Sequence, residues 1–227
     1  MHQRKDWKTY SKFAYLLTAE CPVLEGILAC GTDGEKALID GFKRNFRFAT
    51  FLRCFIHFKD NIKRELGDRG FRPGEKQQFL DEIFGRQEGT VKFFGLVDSD
   101  LEDEFDAKLE SLKDSWIERE TQLGCSQKMP FYEWFKKKRL VDVMKESMLK
   151  GVRIEAGLGD PPSEYVNNDP EAANFMIKHG LHFDAKKPHH FIQEIKHIVE
   201  AQHRNEDRAV FGEGPLQSEG RIRALEG

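Results

Sequence analysis

Between Gly26 and Leu66 the sequence switches repeatedly between a strand-like and a helix-like period, and this alternation limits the fold more than any other feature. Gly26-Ile27-Leu28-Ala29-Cys30 is a short continuous apolar run bounded by glycines, the composition of a strand buried on both faces. From Glu35 to Phe46 the apolar positions Leu38, Phe42 and Phe46 recur at helical spacing, with Lys36, Asp40, Lys43 and Arg44 between them. Phe48 to Leu52 reads as a second short strand. Arg53 to Leu66 reads as a second helix, with Phe55, Phe58, Ile62 and Leu66 on one side and Arg53, Lys59, Lys63 and Arg64 among the outward residues. Strand, helix, strand, helix over so short a span is the pattern of a crossover unit with parallel strands, so the amino-terminal third is α/β.

The flanks are helical. Trp7, Tyr10, Ala14 and Leu17 give residues 4–18 one aromatic-rich stripe, which Cys21-Pro22 ends. After Gly67, residues 74–85, 99–121 and 130–150 show helical spacing with no comparable strand signal. The longest of these starts with Ser99 and Glu102 in capping-box spacing and carries Leu101, Phe105, Leu109, Leu112 and Trp116 on one face. Residues 155–170 are rich in Gly, Pro and Asn and read as a long loop. Asp169 as N-cap and Pro170 at the first position then open a helix that begins with Glu171. Phe191, Ile192, Ile195, Ile198 and Val199 predict a last amphipathic helix, followed from about Asn205 by a polar, frayed end. The expected organisation is an α/β core over 1–66, a large all-helical insertion over 67–154, a loop with the Glu171 helix and a closing helix over 155–203, and a disordered tail over 204–227.

Composition excludes more than it assigns. With 36 Lys+Arg against 39 Asp+Glu the formal net charge is -3, so contact with nucleic acid requires a local patch. Cys21, Cys30, Cys54 and Cys125 are irregularly spaced with no C-x-x-C, which reads as reduced thiols. The charged start MHQRKDWKTY and the lack of a long apolar run predict a protein with no membrane partner, not secreted, and nuclear or cytoplasmic. There is no G-x-S-x-G, Walker loop or G-x-G-x-x-G, which sets aside those hydrolase and nucleotide-binding classes.

Four groups of residues can carry chemistry, each beside a plainer reading. Asp33 follows the first apolar run, where open α/β sheets place their ligands and where a divalent metal is the natural partner. Equally, Thr32 and Glu35 have T-x-x-E capping spacing, which makes Asp33 an ordinary first-turn acid. Glu171 has the same two readings, but Glu171, Asn174 and Lys178 fall within about 60° of one another on a helix, an acid, an amide and a cation on one face. Cys54 and His57, in RCFIH, lie at i, i+3 and offer half a zinc site. His179, His182, His189 and His190 are the histidine candidates for the other half, and none has zinc-motif spacing, so a packed helix with a hydrogen-bonded His is favoured. Lys136, Lys137, Lys138 and Arg139 follow Tyr132 and Trp134 as a basic patch beside aromatics, either a solvated face or a salt-sensitive phosphate contact.

The order TDGEKAL, then LRCFIHFKDNIKREL, then a helical insertion, then NNDPEAANFMIK resembles the transposase domain of Mutator-like elements (MULE), in the branch that carries a C-x-x-H signature between its second and third catalytic acids. The resemblance spans roughly residues 1–180. It implies an RNase H-like fold and DDE chemistry, in which three carboxylates hold two Mg²⁺ or Mn²⁺ ions for cutting and joining DNA. It matches Asp33 to the second Asp, Glu171 to the Glu, and Cys54 and His57 to the signature pair. It also implies a first Asp on a strand upstream of the opening helix, and here Asp6, Glu20 and Glu25 do not sit on such a strand. Ala172 stands where a serine is common, and Asp169-Pro170 replaces small polar residues. The expectation is a partial RNase H-like domain, catalytically incomplete by itself, with weak DNA affinity and self-association through an exposed sheet edge. The rival readings are an active nuclease completed from elsewhere, a domesticated non-catalytic DNA- or protein-binding module, and a zinc-stabilised module.

Overall fold

The computed structural model describes residues 6–124, 129–167, 178 and 187–210, so Glu171 and Asn174 lie outside the described residues. The chain divides into two compact units, His2–Asn167 and Asn168–Gly227, the second also including Met1.

The first unit opens with the crossover. Helix α1 (Trp7–Glu20) starts where the Asp6 carboxylate accepts the Thr9 N–H at 2.8 Å. A 3₁₀ turn over Pro22–Gly26 leads to β1 (Ala29–Thr32), then α2 (Lys36–Phe42), β2 (Thr50–Arg53) and α3 (Phe55–Asp68). β1 and β2 pair in parallel, Ala29 opposite Thr50 and Thr32 opposite Arg53. Helix α2 comes close to α1 at Gly41, where a Cβ would stand 2.6 Å from Tyr10 Cβ and 2.7 Å from the Trp7 carbonyl oxygen.

Three expectations shift here. β1 begins at Ala29 rather than Gly26, because Pro22 fixes a turn that consumes Gly26. Neither is it buried on both faces: Gly31 is exposed, and Leu28 just before it is 65% exposed. Arg53, expected on a helix, is the last residue of β2. Among the described residues no third strand joins this sheet.

The rest of the unit is a helical block. It contains α4 (Pro73–Phe84), a hairpin of β3 (Arg86–Glu88) and β4 (Val91–Phe93), α5 (Glu102–Gln122), α6 (Phe131–Lys137), α7 (Leu140–Ser147) and α8 (Lys150–Glu155). One core joins Phe55, Phe58, Ile62 and Leu66 of α3 to Phe79, Phe105, Trp116, Phe131, Phe135 and Met144. The rings interlock: Trp116 packs on Phe131 at 5.1 Å and edge-on to Phe135 at 5.7 Å between centroids. A buried ion pair is threaded through it. Arg69 donates to Glu120 at 2.6 Å and to the Met129 carbonyl at 2.7 Å, while the other Glu120 oxygen accepts the Phe131 N–H at 2.6 Å.

The hairpin was not expected; its strands are three residues each and exposed, too short to show a period, and Gly89 at φ 58° supplies the turn. The helix expected over 130–150 is broken at Arg139, whose φ is 57°, and again near Met148. The breaks let Met144 and Met148 reach the same core as Phe131. Ser99 does not cap α5: it is fully buried, its carbonyl accepts the Lys150 N–H, and Glu104 accepts the Asp100 N–H at 2.8 Å instead.

In the second unit, α9 (Pro188–Val210) contains the expected apolar stripe but runs beyond Asn205. Its last residues, Glu206, Asp207 and Arg208 among them, include no helix breaker before Gly212, so the helix continues where a tail was expected. Lys178 is helical and exposed. No helix among the described residues is long and apolar enough to cross a membrane.

Candidate functional site

Asp33 stands one residue beyond β1, at the carboxyl end of the parallel pair. The turn that places it is built from its neighbours. The Thr32 hydroxyl accepts the Gly34 N–H at 3.1 Å, and Asp33 Oδ1 accepts the Glu35 N–H at 3.1 Å, while Gly34 takes φ 96°. The expected Thr32–Glu35 capping box does not form. Thr32 is still paired to Arg53 in the sheet, and Glu35 is itself the N-cap residue of α2, its carboxylate accepting the Tyr10 hydroxyl at 3.0 Å. Asp33 is exposed, and only one of its oxygens is engaged by a described residue.

Beside this turn lies an open cleft of about 420 Å³ whose walls include Thr32, Gly34, Lys43 and Arg53 on one side and Ser147 and Glu155 of the helical block on the other. Burial pulls the Arg53 guanidinium below its ordinary value, and the Asp33 carboxylate acts in the opposite sense.

Cys54 and His57 are not two positions along a helix face. Cys54 is the buried N-cap of α3, its N–H extending the sheet ladder to the Thr32 carbonyl at 3.0 Å; His57 is half-buried in the first turn. The Cys54 sulfur accepts the Asn167 N–H at 3.3 Å, and the Phe55 N–H donates to the Tyr165 carbonyl at 2.9 Å. Residues 162–167 therefore run as a strap across the start of α3. Three further contacts hold the strap. Lys59 pairs with Glu164 at 2.9 Å, the Tyr165 ring lies where a Cβ on Gly31 would be, and the Tyr165 hydroxyl donates to Asn167 Oδ1 at 3.1 Å. Buried Arg153 anchors the other end. Its guanidinium donates to the carbonyls of Met148 (3.0 Å), Pro162 (3.1 Å), Ser163 (3.2 Å) and Val97 (3.2 Å), and it lies 5.2 Å from the Phe55 ring centroid.

The loop expected over 155–170 is thus tied down through Asn167, which precedes Glu171 by four residues. Arg53, Arg153 and Tyr165 were not anticipated as site residues. The one hint for Arg153 was a cation between Val152 and Ile154.

The basic segment lies elsewhere. Lys136, Lys137, Lys138 and Arg139 are all exposed at the α6–α7 turn, carried outward because Phe131, Tyr132 and Phe135 are buried. Lys136 sits 5.2 Å from the Tyr132 ring centroid, and Arg139 reaches Asp142 at 3.4 Å. Among the described residues no group of three or more His, Cys, Asp or Glu side chains is placed to hold a metal ion. No family model matches the sequence, and no curated protein and no solved structure is significantly similar to it.

Proposed function

We propose that the chain is a transposase-derived protein of the Mutator-like class, with a partial RNase H-like core in which Asp33 and Glu171 are two of three metal-holding acids. The supporting observation is the hydrogen bond between Asn167 and Cys54, residues 113 apart in sequence. It brings the loop that leads to Glu171 onto the signature cysteine, at the same end of the sheet as Asp33. In parallel α/β sheets this is the end where ligands bind. Asp33 suits a divalent ion, being exposed with one oxygen left over from its turn. A bound Mg²⁺ or Mn²⁺ pair supplies the activation of water and the stabilisation of the leaving oxygen in phosphodiester cleavage. The chain's own part is to hold the carboxylates and keep the strap in place. With two matched acids, this polypeptide by itself binds the ion weakly and does not cleave.

Two measurements test this. Mn²⁺ binding, followed by the ion's spin resonance, is expected to weaken in Asp33→Asn; an unchanged affinity removes Asp33 as a ligand. Incubation with supercoiled plasmid and Mg²⁺ or Mn²⁺ is expected to leave the plasmid intact. Nicking that both Asp33→Ala and Glu171→Ala abolish would show a complete enzyme instead.

The exposed cations at the α6–α7 turn favour a second reading, a non-catalytic module that binds DNA through phosphate contacts. Neutralising Lys136 to Arg139 is then expected to remove salt-dependent DNA binding, while Glu171→Ala leaves it intact.

A further inference from the structure

The cations at the α6–α7 turn do not stand alone. Trp134, Lys137 and Lys138 lie at i, i+3 and i+4 at the end of α6, so they share one side of that helix. Together they line an open cleft of about 380 Å³, a size that takes a small ligand, with Met129, Glu65 and Arg69 as its remaining walls. It shares no lining residue with the cleft beside Asp33.

The aromatic wall is rigid. The Trp134 ring stacks on Phe131 with 5.5 Å between centroids and 24° between planes, and Phe131 is itself wholly buried, 5.2 Å from Phe79 and 5.1 Å from Trp116. Trp134 is only half-buried, so a large flat ring is held from beneath and offered in part to the cleft. The charged wall is uncompensated. Arg139 reaches Asp142, whereas Lys137 and Lys138 are exposed and form no ion pair with a described residue. Glu65, the carboxylate of this cleft, does not neutralise them, because it is bonded to Arg69 at 2.9 Å. Arg69 in turn is bonded to Glu120 and to the Met129 carbonyl, which fixes the far wall.

Packing accounts for the ring face that lies on Phe131. A fixed indole in one cleft with two unpaired lysines is also how single-stranded nucleic acid is held, a base on the ring and the backbone on the cations. We propose that this cleft binds single-stranded DNA, with a base stacked on Trp134 and the adjoining phosphates on Lys137 and Lys138. The proposal rests on the second reading above, DNA binding through these cations, and adds which form of DNA is bound. In a duplex the base faces cover one another and cannot meet an indole, whereas phosphate contact alone serves both forms.

The test uses the full chain with a fluorescein-labelled oligothymidylate and a labelled duplex of equal length, followed by fluorescence anisotropy. The single strand is expected to bind about tenfold more tightly than the duplex. Lys137→Gln combined with Lys138→Gln weakens single-strand binding and makes its log–log salt slope shallower by about 1.4. Trp134→Leu weakens it about tenfold with the slope unchanged, and Trp134→Phe, which keeps a ring on Phe131, retains most of the affinity. Oligothymidylate also quenches the tryptophan emission of the parent, and the quenching is lost in Trp134→Phe, where Trp7 and Trp116 remain. If the duplex binds as tightly as the single strand, or if the quenching survives in Trp134→Phe, the stacking proposal is overturned and the cations are a phosphate patch only. If neither probe binds, or if the double glutamine variant binds as the parent does, the proposal and the reading beneath it fall together.

Discussion

The two halves of the first unit use the same kinds of side chain to opposite effect. In the helical block the aromatics face one another, and Trp116, Phe131 and Phe135 are wholly buried. In the α/β corner Phe46 and Phe51 are buried, but Phe48 is 90% exposed and Tyr15 is 61% exposed, and Leu28 and Phe13 are exposed as well. The block is large enough to satisfy itself, whereas two short strands with α1 and α2 cannot cover both faces of their own sheet. The corner is also the half in which Asp33 stands exposed at the end of a strand. On the proposed reading, stability and chemistry are held in different parts of one compact unit, joined by α3 and the strap.

The largest expected effect comes from breaking the block. Trp116→Ala is expected to destabilise the protein by about 3–5 kcal/mol, because it empties a ring-lined site and removes the 2.7 Å hydrogen bond from the indole N–H to Glu82. Denaturant unfolding followed by far-UV circular dichroism measures it; a loss below about 1 kcal/mol would show that the block is loosely packed.

An intermediate effect is expected where the halves are joined. Gly31→Ala drives a Cβ into the Tyr165 ring, and overpacking of this kind costs about 1–3 kcal/mol. The amides of Phe55 and Asn167, both bonded across the strap, then exchange faster, while amides of α5 do not. Equal acceleration in both places would mean that strap and block are one cooperative element.

The smallest effect on stability, within about 0.5 kcal/mol, is expected for Phe48→Ser in the corner. Its consequence lies in association: sedimentation velocity is expected to show less self-association than the parent. An unchanged distribution would mean that this apolar surface does not contribute to contacts between copies.

The contrast also explains what could be read from the sequence. The crossover was legible because the period changes abruptly at Gly34 and again near Phe48, and no local feature competes with it. The exact start of β1 was not, because the Pro22 turn and the apolar run overlap in Gly26. The break at Arg139 was illegible in a different way. Lysines and arginine favour helix, and only the need to bring Met144 and Met148 into a distant core overrides them. Asp33 could be singled out because it ends an apolar run, a local signal. Arg153 was missed because what distinguishes it is the set of carbonyls it collects, some from segments far apart in the chain.

The four carbonyls collected by Arg153 also make one side chain the fastener of two parts. Val97 and Met148 belong to the block, Pro162 and Ser163 to the strap, so the same guanidinium serves both. Removing it is expected to loosen the strap: in native-state hydrogen exchange of Arg153→Met the Asn167 amide loses protection, and protection equal to the parent's would show that the strap is held without it.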